Sequence, residues 1–138
     1  MSGVDLVRWL TAALDEEAED AQRAFSGQAD PENGWGAYRP EGQRHTTIVP
    51  HVGMIHEAVQ ADHVVRWNPA RVLREIDAKR QLLELHHAEW VDTGDADGND
   101  RSGYFCSECD VTPFPCRTLR LLALPYADRD GYLEAWRP

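Results

Sequence analysis

The chain has 138 residues, enough for one domain of ordinary size, and 42% of them are hydrophobic, with five tryptophans carrying much of the potential core volume. Twenty-four acidic residues against 14 basic ones leave a net charge of -10, which argues against a protein that binds nucleic acid through a broad basic face. No apolar run approaches the roughly 20 residues that cross a bilayer, and the start MSGVDLVRWL lacks the basic segment of a signal peptide, so a cytoplasmic protein that does not engage a membrane is expected.

Residues 2–25 predict an amphipathic helix. Ser2 and Asp5 resemble a capping box, and Leu6, Leu10, Ala13, Leu14, Ala21 and Phe25 recur at helical spacing. Asp15, Glu16, Glu17, Glu19 and Asp20 then form its solvated face. Glycine and proline make a helix over 26–44 unlikely, and Trp35–Tyr38 with Thr46–Val49 read as two short strands around the turn Pro40-Glu41-Gly42-Gln43.

Residues 53–66 predict a second helix, with Ile55, Ala58, Val59 and Val65 roughly on one side. Asn68-Pro69 restarts the chain, because asparagine caps a helix and proline suits its first turn. The pattern from 69 to 89 is the strongest in the chain. Val72, Ile76, Leu83 and His86 share a face, with Leu73, Lys79 and Leu82 beside it. Residues 91–103 form an acidic, glycine-bearing loop. Arg117 to Leu124 reads as a short helix ended by Pro125, and Tyr132, Leu133 and Trp136 as a last turn folding back on the core. The expectation is a single small α+β domain over 1–138, mainly α-helical, with a zinc-stapled knuckle and short helix at 104–124.

Cys106-Ser107-Glu108-Cys109 has the spacing at which two thiolates of one tight turn reach the same ion, and Cys116 follows just before the short helix. Three cysteines are an odd number and suit a metal better than disulfides in a reducing compartment. A helix N-terminus and Arg117 favour the Cys116 thiolate. A tetrahedral structural zinc then needs one more ligand, and His86 and His87 fall at similar angles on either side of the helical stripe. Spacing leaves both open, with Asp110 and His63 as further choices. A set of three cysteines and one histidine is closed, which predicts a structural ion rather than a catalytic one.

Two stretches carry a resemblance: Asn68-Pro69-Ala70-Arg71-Val72-Leu73-Arg74-Glu75, leading through Lys79-Arg80 to Leu85-His86, and Cys116-Arg117-Thr118-Leu119-Arg120-Leu121-Leu122-Ala123-Leu124-Pro125-Tyr126-Ala127-Asp128, ending at Trp136-Arg137-Pro138. They resemble an uncharacterised family of small proteins from actinobacteria and their phages. That family has a segment like H-x-x-x-H-D-P. His63 matches its first histidine, Trp67 stands in place of the second, and Asn68 replaces the aspartate. The resemblance implies His86 rather than His87 as the fourth ligand and implies no activity.

Other constellations fall short. His56-Glu57 opens like a zincin helix, but Gln60 breaks the pattern, and Asp95 to Asp100 fails the glycine and carboxylate positions of a calcium loop. Arg66, Arg71, Arg74 and Arg80 make residues 66–80 a locally basic stretch that reads first as a solvated helix face and second as an anion or nucleic-acid contact. The function expected is a non-enzymatic binding or regulatory module with a protein partner, the long helix and the tryptophans supplying its surface. A nucleic-acid-associated zinc protein using the 66–80 arginines and a metal-dependent hydrolase or nuclease, which needs an open metal or a second one near His56 and His63, are the alternatives.

Overall fold

The computed structural model describes residues 3–25, 35–49, 52–92, 102–109 and 113–138. The proposed capping residue Ser2, most of the acidic loop and Asp110 lie outside that set. Among the described residues, four helices and five short strands form an α+β fold that is mainly helical, as the periodicity predicts. No helix among them is long and apolar enough to cross a membrane. The chain divides into two compact units, Met1–Asp15 with Ala78–Pro138, and Glu16–Asp77.

In the second unit, β1 (Gly36–Tyr38) and β2 (Thr46–Val49) form the expected antiparallel hairpin, with Tyr38 opposite Thr47. The Gln43 amide donates to the Pro40 carbonyl at 3.1 Å. Gly42 has φ of +78°, the left-handed value that the third residue of a type II turn requires. Alternation places Thr46 and Ile48 inside and Val49 outside.

Residues 53–66 are not one helix. Gly53–Ile55 forms a third strand, β3, on the free edge of β2, and α2 begins only at Ala58 and runs to Arg66. The apolar residues of 53–55 fit a helical pattern as well as a strand over so short a run. The unpaired edge of β2 decides between the two, because backbone groups there gain partners only if the next segment extends. Trp67 and Asn68 then separate α2 from α3 (Pro69–Leu85). Asn68 caps as expected. Its Oδ1 accepts from the Arg71 amide at 3.1 Å, and its Nδ2 donates to the Val65 carbonyl at 2.8 Å.

α1 (Gly3–Phe25) follows the sequence reading closely. Leu6, Leu10, Ala13, Leu14, Ala18 and Ala21 are buried, and Asp15, Glu16, Glu19 and Asp20 are exposed. In the first unit the indole of Trp9 donates to the Asp130 carbonyl at 3.0 Å and lies against Tyr132 and Trp136, so the expected last turn (Glu134–Trp136, a 3-10 turn) does fold back on the core. Gly131 makes that approach possible. Its φ is +83°, and a Cβ there would lie 3.0 Å from Trp9 Nε1.

The long helix stops at Leu85, not 89. Residues Ala88–Val91 form β4, paired antiparallel with β5 (Gly103–Cys106). α4 spans Arg117–Ala123, and Pro125 does not terminate it abruptly; the chain tightens into a 3-10 turn over Leu124–Tyr126, which tolerates proline near its start. Of the five tryptophans only Trp67 and Trp90 are exposed, so the expected tryptophan surface is confined to those two.

Leu119 of α4 is fully buried, whereas Leu121, two residues on, is half-exposed. Leu119→Ala should destabilise the fold by about 2–5 kcal/mol and Leu121→Ala by no more than about 0.5 kcal/mol. Urea unfolding followed by circular dichroism separates the two, and equal losses would contradict the burial assigned here.

Candidate metal centre

The position of His86 follows from how α3 ends. Its amide still donates to the Leu82 carbonyl at 3.0 Å, closing the last turn, and the chain then turns into β4. The β4–β5 ladder sets Ala88 opposite Cys106 and Trp90 opposite Tyr104. Beyond Cys106 one more backbone bond, from the Ser107 amide to the His87 carbonyl at 2.9 Å, carries the ladder into the cysteine turn. The Ser107 hydroxyl donates to the Leu85 carbonyl at 2.6 Å. Ser107 therefore fastens the turn to the backbone on both sides of His86.

Cys116 arrives from the other direction. The Phe114 amide donates to the Tyr104 carbonyl at 3.3 Å, and Phe114 and Pro115 are buried, so the segment before α4 is held against β5. Cys116 is the residue that caps α4, yet its sulfur makes no capping hydrogen bond. The sulfur is turned instead toward the other cysteines and His86.

These constraints bring the four side chains together. The Nδ1 atom of His86 lies 3.3 Å from Cys106 Sγ, 3.4 Å from Cys109 Sγ and 3.6 Å from Cys116 Sγ. All four candidate ligand atoms fall within 4.8 Å of one another, and among the described residues this is the one group of three or more that could hold a metal ion. His86, Cys106 and Cys116 are buried, and Cys109 is half-exposed.

His87 lies outside this group. As the residue just ahead of β4 it faces away, with its ring exposed. Its Nδ1 is 3.0 Å from both the Glu84 carbonyl and the Ser107 hydroxyl, and its Nε2 is 3.2 Å from Glu89. His63 sits exposed on α2 beside Trp67, outside the group. The candidate anion-binding residues also lie elsewhere. Arg66 and Arg74 are exposed, whereas Arg71 donates to Glu75 at 2.8 Å and stacks its guanidinium 4.1 Å from the centre of the Trp67 ring. Sequence reasoning missed Ser107 and the β4–β5 pairing. The pairing does leave a trace, since Glu89-Trp90-Val91 and Tyr104-Phe105 are strand-forming runs on either side of the acidic loop.

The thiols are electrostatically unequal. Burial works against ionising Cys106, but amide donors from Cys109 and Glu108, together with His86 and Cys116, outweigh it and lower its pKa to about 7. Burial raises Cys109 to about 11, and the neighbouring sulfurs of Cys106 and Cys116 add to the effect, because further negative charge beside them is unfavourable. A cation among the sulfurs removes that repulsion.

Two outcomes follow. His86→Ala should abolish stoichiometric metal binding, while His87→Ala should leave it within about threefold of the parent chain, since second-sphere losses are commonly about 10-fold or more only when the partner orients a ligand; competition against a chromophoric chelator measures both. Protons compete with the ion for the sulfurs, so affinity must fall as pH falls. Below about pH 7, Cys106 joins Cys109 in holding a proton. Metal entry must then expel at least two protons, and the apparent affinity should drop at least about 100-fold per pH unit. A limiting slope below about two protons per ion in the acid range, after correction for the indicator, would contradict this.

No curated protein and no solved structure matches the chain. Residues 3–138 match a family described only as being of unknown function. The match extends over nearly the whole sequence and includes all four residues of the candidate metal-binding group. The chain belongs to this family of unknown function (DUF6221).

Proposed function

We propose that His86 Nδ1 and the sulfurs of Cys106, Cys109 and Cys116 hold one structural Zn²⁺, and that the protein is a non-enzymatic binding or regulatory module built around it. The observation that carries the reading is the near-equal reach of Nδ1 to the three sulfurs, 3.3, 3.4 and 3.6 Å. A tetrahedral zinc with bonds of about 2.3 Å to sulfur and 2.0–2.1 Å to nitrogen has N···S edges of about 3.5–3.6 Å. The three N···S separations are close to those edges, which supports the reading. Soft thiolates select zinc over magnesium or calcium, and three free thiols suit a cytoplasmic setting.

A closed set of four protein ligands leaves no position for water or substrate, which weighs against a hydrolase working at this ion. The exposed pair Trp90 and Tyr104, with ring centres 5.0 Å apart, lies on the hairpin fastened to the site and offers a surface for a protein partner. Nucleic-acid binding through Arg66, Arg71 and Arg74 has weaker support, because Arg71 is already engaged by Glu75 and Trp67. The family resemblance makes an actinobacterial or phage source the natural setting in which to seek the partner.

Protein purified without chelators should contain one zinc per chain by elemental analysis. Cys109→Ser should lose the metal together with the cooperative fold, since zinc binding in small modules contributes about 10–16 kcal/mol to folding. Absence of zinc from the unmodified chain would overturn the reading.

A further inference from the structure

We propose that Cys109 is a modification site: a zinc-bound thiolate that reacts with hydroperoxides and then closes a disulfide with Cys106, releasing the ion. The inference rests on the zinc reading above and adds a reactivity that a purely structural site does not need.

The three sulfurs differ in access. Cys106 and Cys116 are each only 2% exposed, whereas Cys109 is half-exposed. An oxidant arriving from solvent therefore meets the Cys109 sulfur first.

The resolving partner is set by the turn. Cys106 and Cys109 are separated by two residues of one reversal, so their sulfurs can close with a local change in that turn. Cys116 is fixed by the buried Phe114-Pro115 segment on one side and α4 on the other. In the first step the Cys109 thiolate attacks a peroxide oxygen. The S–O bond forms, the O–O bond breaks, sulfur loses two electrons and hydroxide leaves (alkoxide from an organic hydroperoxide), giving the sulfenic acid. In the second, the Cys106 thiolate attacks the Cys109 sulfur. The S–S bond forms, the S–O bond breaks and a second hydroxide departs. His86 and Cys116 remain, and two ligands do not retain zinc.

The consequence is mechanical. His86 and the cysteine turn are joined through Ser107 to Leu85 and His87, so loss of the ion removes the side-chain half of a connection whose backbone half stays. The end of α3 and the β4–β5 hairpin with Trp90 and Tyr104 are the elements this would loosen.

The zinc content of the purified chain is measured first, and its absence would remove the zinc reading itself rather than this proposal alone. The loaded protein is then treated with hydrogen peroxide while a chromophoric chelator reports zinc, and differential alkylation with peptide mapping locates the oxidised residues. The expected result is one zinc released for each Cys106–Cys109 disulfide, reversed by a dithiol reductant with added zinc. Cys109 should also alkylate at least about tenfold faster than Cys116 in the loaded protein. Cys109→His, which keeps a ligand and removes the reactive sulfur, should hold zinc against peroxide; the map of the unmodified chain stands whether or not this variant loads. Zinc retained under peroxide, a disulfide to Cys116, or equal alkylation of the three cysteines would each overturn the proposal.

Discussion

Three sulfurs and an imidazole do not gather of their own accord. As thiolates they repel, and as thiols they gain little from one another, so something else must hold them within ligand distance. In this chain it is the main-chain ladder between β4 and β5, prolonged by the Ser107 amide to the His87 carbonyl. That run of hydrogen bonds brings together residues 20 apart, His86 and Cys106. It also determines which of two adjacent histidines faces inward, since the residue on one side of the extension points at the sulfurs and the next points at water. The aromatic pair Trp90 and Tyr104 sits on the same ladder. Which histidine faces the sulfurs and where the aromatic pair is exposed therefore have one cause, the register of a two-stranded hairpin.

Much of this was legible in the residues. The C-x2-C turn and the third cysteine are strong signals because few other roles require that spacing. The helix over 2–25 and the Asn68-Pro69 restart were legible because periodicity and cap chemistry are local. The end of α3 was not. Nothing within residues 85–91 forbids another helical turn; what stops it is β5, which follows a loop and competes for the same backbone groups. β3 was missed for the same reason, its extended shape being dictated by the edge of β2. Spacing could not choose between His86 and His87, since both lie at similar angles on a helix that has already ended where they stand.

Charge is distributed to match. The bulk acidity rests on exposed faces, notably along α1, where Asp15 pairs with Arg80 at 2.7 Å and Asp20 with Arg23. Exposed pairs of this kind contribute about 1 kcal/mol or less. The basic residues around Trp67 are drawn partly into their own contacts, Arg71 above all. Neither pattern supplies stability on the scale a metal ion would, and a modest core makes that difference important.

The clasp between Trp9 and residues 130–136 has a consequence for how the protein is made. The acceptor of the indole lies 121 positions downstream, and Gly131 must be in place for the ring to approach. During synthesis Trp9 leaves the ribosome long before Asp130, Tyr132 or Trp136 exist. Closing so large a loop carries an entropic cost that only the finished contact offsets. The unit that holds the cysteines therefore cannot mature vectorially from its first residue. It completes after translation has delivered the far segment, and until then Trp9 lacks the residues that cover it.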